Sequence, residues 1–150
     1  MEKSFVMLKP DAIQRKVAGK VISRLEDKGL SLIAMKMIHI SKNLAYEHYE
    51  IHKDKPFFDT LIKFVTSSPV IVSAWKGKNA IKIIRNLVGS TNPQDATPGS
   101  IRGDFALDTT YNIIHASDAT ETAKKEIALF FNEDEIFNYT HSLDVWLKPE

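Results

Sequence analysis

A histidine in the last third of the chain has the clearest capacity for chemistry. Residues 112–118 read NIIHASD, so His115 stands where an apolar strand is predicted to end and a helix to begin. Imidazole titrates near neutrality, and its neutral form can attack phosphorus without an additional base. Such a nucleophile needs a hydrogen-bond partner that fixes its ring, and Ser117 and Glu126 are candidates. A histidine that merely ends a strand is the alternative, which the local sequence alone favours.

The stretch before this histidine predicts a phosphate-binding loop. Residues 90–104 are rich in Ser, Thr, Asn, Pro, Gly and Asp and show no apolar period. Glycines let the backbone approach a ligand, and the guanidinium fork of arginine matches phosphate oxygens. Arg102 lies in this loop with Thr91, and Arg85 lies in the last turn of the helix before it. Taken alone, this stretch is equally typical of a proline-braced surface loop with a solvent-exposed arginine.

Other candidates are individually weaker. Lys9 follows a predicted strand, and its ammonium suits a terminal phosphate, although an ordinary exposed lysine is commoner. Phe57 could stack on a nucleotide base, but paired phenylalanines are more often core residues. Tyr49 and His52, on the preceding helix, are ambiguous in the same way.

The sequence lacks the common motifs for phosphate loops, dinucleotide binding and zinc. It contains neither G-x-x-x-x-G-K-[ST] nor G-x-G-x-x-G. His48 and His52 lie four residues apart on one predicted helix and resemble a metal pair. Without a third ligand or a zincin pattern, however, they indicate a partly exposed helix face, and no protein metal site is predicted.

Hydrophobic periodicity predicts the elements that position these residues. Strands are predicted at 4–8, 30–40 and 70–75 and within 105–114, and helical stripes at 17–25, 44–52, 57–65, 79–88 and 123–131. Gly29 and Gly89 are predicted to end helices, and Asp118 with Glu121 to begin one. Trp146 is expected to anchor the tail. The order fits an α/β or α+β sandwich, and periodicity does not distinguish an antiparallel ferredoxin-like sheet from a parallel one.

Composition narrows the class of protein. The 150 residues suit one domain, and 43% apolar residues suffice for a core without disulfides, since cysteine is absent. With 20 basic and 19 acidic residues, the chain lacks the basic excess of a nucleic-acid-binding protein. No signal peptide or membrane-spanning window is evident, so we expect a soluble, cytoplasmic protein with no membrane partner.

Six segments in this order and spacing resemble nucleoside diphosphate kinases across nearly the whole chain. The matching segments are Lys9-Pro10-Asp11, His48-Tyr49, Pro56-Phe57-Phe58, Gly89-Ser90-Thr91-Asn92-Pro93, Pro98-Gly99-Ser100-Ile101-Arg102-Gly103-Asp104 and Asn112-Ile113-Ile114-His115-Ala116-Ser117-Asp118. The resemblance implies one α+β domain over 1–150, a ferredoxin-like sandwich. Its four-stranded antiparallel sheet would have βαββαβ order and be covered by helices.

The resemblance also implies an activity. The γ-phosphate of a nucleoside triphosphate, usually ATP, would pass to a nucleoside diphosphate by a ping-pong reaction that makes other nucleoside triphosphates. Mg²⁺ would arrive bridging the nucleotide phosphates and be held mostly through water. Nucleoside di- and triphosphates are therefore the expected partners, without specific nucleic acid.

The resemblance assigns roles to individual residues. His115 matches the residue that becomes phosphohistidine, and Ser117 and Glu126 match those that orient and polarise its ring. The positions on the phosphate side are matched by Lys9, Tyr49, Arg85, Thr91 and Arg102. Lys9 and Asn112 match contacts to the sugar hydroxyls. Phe57, with Leu61 nearby, matches the ring on which the base stacks.

The chain departs from the family pattern near the histidine. Ala116 replaces a more common glycine, and residues 109–111 differ from the usual ones, which affects the second face of the base pocket. The family forms homo-oligomers, and the tail ending at Glu150 and the loop around Pro93 favour a hexamer over a tetramer.

Two other functions compete with this one. A regulatory nucleotide-binding member without catalysis is opposed by the joint presence of His115, Lys9, Arg85, Arg102 and Glu126. A ferredoxin-like nucleic-acid-binding domain is opposed by the near-neutral charge and by the lack of aromatic strand motifs.

Overall fold

A computed structural model describes residues 1–147, in which four antiparallel strands form one sheet. Glu150, the end of the tail that favours a hexamer, lies outside the described residues. The strands are β1 (Glu2–Leu8), β2 (Ser31–Ile38), β3 (Val70–Gly77) and β4 (Ile114–Ala116). Their order is β2-β3-β1-β4, with every neighbouring pair antiparallel. This order confirms the ferredoxin-like α+β fold and excludes the parallel alternative.

Helices cover both faces of this sheet. Within residues 1–147 they are α1 (Pro10–Gln14), α2 (Ala18–Asp27), α3 (Lys42–His48), α4 (Phe58–Val65), α5 (Ala80–Val88), α6 (Ile101–Phe105), α7 (Thr120–Phe130) and α8 (Asp144–Leu147). Apolar residues of α3, α4 and α7 pack on one face, and those of α2, α5 and α6 pack on the other.

Strand β1 lies in the middle of the molecule and is buried on both sides. Phe5 and Met7 join the core beneath α3, α4 and α7, whereas Val6 and Leu8 join the core beneath α2 and α5. Successive side chains of a strand point to opposite faces of the sheet. A strand with helices packed on both faces is therefore apolar along its whole length. The same alternation later decides where the side chain of His115 points.

The stretch before His115 differs from its prediction. Residues 90–104 are not an unbroken loop, because they contain a 3-10 turn at Pro93–Asp95 and most of α6. Ser100 caps α6 by accepting the Gly103 N–H at 3.1 Å. The fourth strand, predicted within 105–114, covers only Ile114–Ala116, so it overlaps the predicted range at Ile114 alone. Before this strand, the Asp108 carboxylate accepts hydrogen bonds from the N–H groups of residues 110 and 111. These bonds bend the chain out of an extended conformation.

Three smaller predictions were also wrong. Helix α7 begins at Thr120 without a side-chain cap, and Glu121 pairs with Lys124 instead of forming a capping box with Asp118. Helix α3 ends at His48, and a separate 3-10 turn covers Glu50–His52. Trp146 is 82% exposed and anchors nothing in the described residues.

The two predicted helix-ending glycines are confirmed. Gly29 and Gly89 follow α2 and α5 with φ of +94° and +86°, a conformation that favours glycine. A Cβ on Gly89 would lie 2.6 Å from Ser100 Oγ, so α5 also packs closely against the start of α6.

No helix in the part of the chain that the structure describes, residues 1–147, is long and apolar enough to span a membrane.

Candidate active site

His115 lies within β4 rather than after it, and its position in the strand determines its direction. Ile114 and Ala116, on either side, belong to the core under α2 and α5. Since side chains alternate along a strand, His115 points to the opposite face, towards α3 and α7. Its ring centroid is 6.0 Å from that of Phe5, and its side chain is 25% exposed. A ligand can therefore reach one part of the ring.

The other part of the ring is held by a buried carboxylate. Glu126, on α7, forms a short hydrogen bond through Oε2 with His115 Nε2. Ser117 Oγ donates to Glu126 Oε1 at 2.7 Å, and it also accepts the Phe5 N–H at 3.1 Å. Ser117 thus ties the carboxylate to the central strand. With Nε2 protonated towards Glu126, the neutral tautomer of His115 leaves Nδ1 as its lone-pair nitrogen.

A second imidazole lies against this pair. His48, at the end of α3, has a side chain only 1% exposed, and its ring centroid is 4.7 Å from that of His115. Its Nδ1 is 3.4 Å from Glu126 Oε2 without the geometry of a hydrogen bond. Burial, and then the neighbouring His115, lower the pKa of His48 well below its ordinary value, so its ring is neutral at pH 7. The expectation of a partly exposed helix face was wrong for His48.

Side-chain atoms of His48, His115 and Glu126 lie within 4.8 Å of one another, close enough to be considered as metal ligands. The Glu126 oxygens, however, already accept hydrogen bonds from His115 and Ser117. The geometry therefore fits a histidine ring oriented by a hydrogen-bonded carboxylate better than it fits a metal site.

Lys9 and Asn112 form a second connected group. Lys9 Nζ donates to Asn112 Oδ1 at 2.7 Å, and Asn112 Nδ2 donates to the carbonyl of Thr91 at 3.1 Å. Lys9 is 7% exposed. Burial and the cation of Arg102 lower the pKa of Lys9 to about 8, and the charge of Asp11 opposes them. The Lys9 amine is therefore mostly protonated at pH 7 and loses its proton as the pH rises through about 8.

Arg102 connects this group to β4. Its guanidinium donates to the carbonyls of Gly89 (3.2 Å), Asn112 (3.3 Å) and Ile114 (2.6 Å). The residue is 4% exposed, and burial followed by the charge of Arg85 lowers its pKa to about 10. Arginine has five N–H groups, so two remain for a ligand once these bonds are made.

Tyr49 and Arg85 approach the same region. The Tyr49 ring centroid is 6.2 Å from that of His115, and its hydroxyl is buried without a hydrogen-bond partner in residues 1–147. Burial raises the pKa of this phenol, so it stays protonated and can donate. Arg85, on α5, donates to the carbonyl of Ala116 at 3.4 Å, which places its charge beside β4.

Phe57 and Leu61 lie outside these bonded groups. Phe57, just before α4, is 45% exposed, and its ring centroid is 5.7 Å from that of His52. Leu61 is buried in the core on the face of α4. Tyr111 packs edge-on against Phe64 at 4.4 Å between ring centroids, so the segment 109–111 contacts the same helix.

The structure thus brings most of the predicted residues together. The bonded groups and their immediate neighbours comprise Lys9, Tyr49, Arg85, Arg102, Asn112, His115, Ser117 and Glu126. Thr91 contributes its backbone carbonyl, while its side chain is exposed. Two further residues that contact these groups, His48 and Asp11, had no predicted role in the site. Both residues lie in segments that match the family, but a contact between elements distant in sequence has no local signature.

Comparisons with known proteins agree on one family. A sequence model of the family "Nucleoside diphosphate kinase" matches residues 2–136. A nucleoside diphosphate kinase of Archaeoglobus fulgidus is 51% identical over 150 residues, which is 100% of this chain and 99% of that protein. One of Methanothermobacter thermautotrophicus is 57% identical over 139 residues, 93% of each chain. A halophilic nucleoside diphosphate kinase from Halobacterium salinarum, solved in complex with CDP, superposes with a TM-score of 0.95 at 45% identity and covers 97% of both chains.

These matches place the protein among the phosphotransferases. The chain belongs to the nucleoside diphosphate kinase family. The general function of this family is ping-pong transfer of a γ-phosphate through a phosphohistidine, and this chain is an enzyme of that kind.

Proposed function

We propose that His115 is the residue that carries the phosphate between nucleotides. The observation that carries this proposal is the ring itself, held at Nε2 by a buried Glu126 and partly exposed on its other side. In the first half-reaction the lone pair of Nδ1 attacks the γ-phosphorus. The bond from that phosphorus to the bridging oxygen breaks, and a nucleoside diphosphate leaves with the electron pair. In the second, a terminal phosphate oxygen of another nucleoside diphosphate attacks the phosphorus, and the N–P bond breaks.

Glu126 and Ser117 orient and polarise the nucleophile in this proposal. As the N–P bond forms, positive charge develops on the imidazole, and the carboxylate at Nε2 stabilises it. Ser117 keeps Glu126 in place through its 2.7 Å bond and its link to β1. His115 therefore needs no separate base to release and regain the phosphate.

Lys9, Arg85 and Arg102 bind the phosphates. Phosphoryl transfer depends on positioning and charge neutralisation more than on acid–base chemistry, and three local cations meet that need in a nearly neutral protein. The protonated hydroxyl of Tyr49 supplies a further donor beside His115. The hydroxyl of Thr91 completes this side of the site.

Phe57, Leu61 and Asn112 bind the nucleoside. Stacking on the exposed ring of Phe57 is tolerant of base identity because every base has a π-face. Asn112 and Lys9, already bonded to each other, contact the sugar hydroxyls. The substrates are nucleoside di- and triphosphates, in line with the CDP complex of the Halobacterium relative.

Mg²⁺ fits this site as an ion carried by the nucleotide. Mg²⁺ prefers oxygen ligands, whereas the one group of potential ligands found in residues 1–147 offers two imidazoles and one carboxylate. The cations around it suit phosphate oxygens instead. The residues that bind the phosphates would thus hold the ion indirectly, and the ion would neutralise phosphate charge.

The enzyme is proposed to be a cytoplasmic homo-oligomer of single-domain chains. Residues 1–150 form one domain, and the enzyme works in the cytoplasm. It is a homo-oligomer, with a hexamer favoured over a tetramer. Support for an oligomer comes from exposed apolar side chains on the edge strand β2, Met35 and Met37, and on the tail, Phe137 and Leu143.

Labelling of the wild-type enzyme tests the proposed chemistry. Incubation with γ-labelled ATP and Mg²⁺ should transfer label to the protein, in a bond that is stable in base and labile in acid. Adding a nucleoside diphosphate should discharge the label into a nucleoside triphosphate. Label that mapped to another residue, or that the diphosphate failed to discharge, would contradict the proposal.

The basic limb of the pH profile should report Lys9. With a pKa of about 8, the free enzyme loses this charge as the pH rises, so kcat/KM should be roughly tenfold lower at pH 9 than at pH 7. Arginine stays protonated in this range, so the Lys9→Arg variant, scaled to its own value at pH 7, should lack the limb. An unchanged limb in that variant would assign it to another group.

A further inference from the structure

Ile113 has a backbone conformation that is rare for a β-branched residue. Its φ is +76°, and the Ile114 N–H donates to the Asn112 carbonyl at 2.9 Å. Together these features define a γ-turn with positive φ, which is a strained form. The residue is completely buried. Such strain persists only where the surrounding structure holds it.

The segment that follows β1 supplies the bonds that hold this turn. Asp11 Oδ2 accepts the Ile113 N–H at 3.0 Å, and the Lys9 N–H donates to the Ile113 carbonyl at 2.9 Å. Both peptide groups of the strained residue are therefore bound to residues 9–11. Asp11 provides the hydrogen bond on the N–H side of Ile113.

The Asp11 carboxylate is itself an unusual feature. It is 8% exposed, and its Oδ1 is buried without a hydrogen-bond partner among residues 1–147. Burial raises the pKa of Asp11, while the Ile113 N–H, the charge of Lys9 and the backbone N–H groups of Asp11 and Ala12 act against that rise. The carboxylate thus bonds the turn at Ile113 and lies beside the charge of Lys9, and both partners belong to the site.

Residues that bind substrate lie on both sides of the turn. Asn112, before it, accepts from Lys9 Nζ, and Ile114, after it, accepts from Arg102. His115 follows directly. A change in the turn would therefore move the Asn112 side chain relative to the phosphate-binding cations.

We propose that Asp11 is a positioning residue for phosphotransfer, which holds the turn at Ile113 and so sets where Lys9 and Asn112 meet the nucleotide. The inference rests on the proposed function, from which Lys9 and Asn112 take their roles. Asp11 acts in two separable ways. Its oxygen accepts a backbone N–H, and its charge lies beside the ammonium of Lys9.

The second action gives a signature that a purely structural residue lacks. Four ionisable groups interact electrostatically with Lys9. They are Asp11 on α1, His48 at the end of α3, His52 in the 3-10 turn and Arg102 on α6. Among them only Asp11 raises the pKa of Lys9. Removing this charge lowers that pKa, so the basic limb of kcat/KM should move to lower pH.

The test compares Asp11→Asn and Asp11→Ala with the matched control Asp27→Asn. Asparagine keeps an oxygen for the Ile113 N–H and loses only the charge. Asp11→Asn should therefore stay within about threefold of wild-type kcat/KM at pH 7, with its basic limb at lower pH. Asp11→Ala loses both actions, and its KM for a nucleoside diphosphate should rise about tenfold, more than its kcat falls. Asp27 is exposed at the end of α2, and its variant should match the wild type.

A wild-type basic limb in Asp11→Asn overturns the proposal, whether or not Asp11→Ala folds. A purely structural Asp11 would lower the unfolding temperature of both variants and leave the limb in place. Label on a residue other than His115 in the wild-type enzyme would instead refute the proposed function. The two failures are therefore distinguishable.

Discussion

The His115→Ala variant is expected to lose at least about four orders of magnitude in phosphotransfer rate. In the proposed reaction the N–P bond forms on this ring, so its removal leaves no covalent intermediate. The nearest other imidazole, on His48, is a poor substitute because its side chain is 1% exposed and it lies on α3, away from the position of His115 in β4. The variant should still fold, since β4 pairs with β1 through backbone groups, with residue 115 opposite Met7.

Two measurements check this result. Steady-state transfer from ATP to a nucleoside diphosphate gives the rate, and incubation with γ-labelled ATP shows whether the protein carries label. His39→Ala is the matched control, because His39 is exposed and contacts the carbonyl of Thr66. It should keep the wild-type rate. A labelled His115→Ala protein, or one within tenfold of the wild-type rate, would show that the phosphate passes by another route.

The Arg102→Ala variant should show the second largest effect, on both activity and stability. Arg102 donates to the carbonyls of Gly89, Asn112 and Ile114, and in the proposed site its two remaining N–H groups bind the phosphates. Losing the charge at the phosphates should lower kcat/KM by about two to three orders of magnitude. Leaving two buried carbonyls and one partly buried carbonyl without this donor should lower the free energy of unfolding by about 3 kcal/mol.

Kinetics below the unfolding temperature separate these two effects. Arg102→Lys retains a point charge without the fork, so its kcat/KM should lie between those of the wild type and Arg102→Ala. Arg15→Ala is the matched control, since this exposed arginine also donates to a backbone carbonyl, that of Phe105. It should stay within about twofold of the wild type. An Arg102→Ala enzyme that is less stable but fully active would show that Arg102 stabilises the fold and does not contribute to phosphate binding.

Much of the fold followed from the sequence because its elements have strong local signals. The continuous apolar run of β1, the alternation of β2 and the stripe of α5 were predicted close to their observed bounds. Glycines at positive φ ended the helices where expected. Periodicity left the parallel and antiparallel alternatives open, because hydrophobic alternation records which face is buried and not which strand lies beside it. The family resemblance predicted the antiparallel sheet, and the strand pairing confirms it.

Predictions failed where specific side-chain contacts, some local and some between residues distant in sequence, decide the conformation. Residues 105–113 contain enough apolar side chains for a strand, but the Asp108 carboxylate bends them and Asp11 holds Ile113 in a strained turn. His48 looked like part of an exposed helix face because local periodicity carries no information about α7. Only the packing of α3 and α7 on the same face of the sheet places it beside Glu126.

The sequence by itself determined which residues could do the chemistry: a histidine in a segment with serine and aspartate, a loop with arginine, and a lysine after a strand. The tertiary structure decided how they meet. Strand β4 pairs with β1 in a register that turns His115 towards α7, where a residue 11 positions away holds its Nε2. That register is fixed by burial of Ile114 and Ala116 on the opposite face, since a slip by one residue would exchange the core side chains with the histidine.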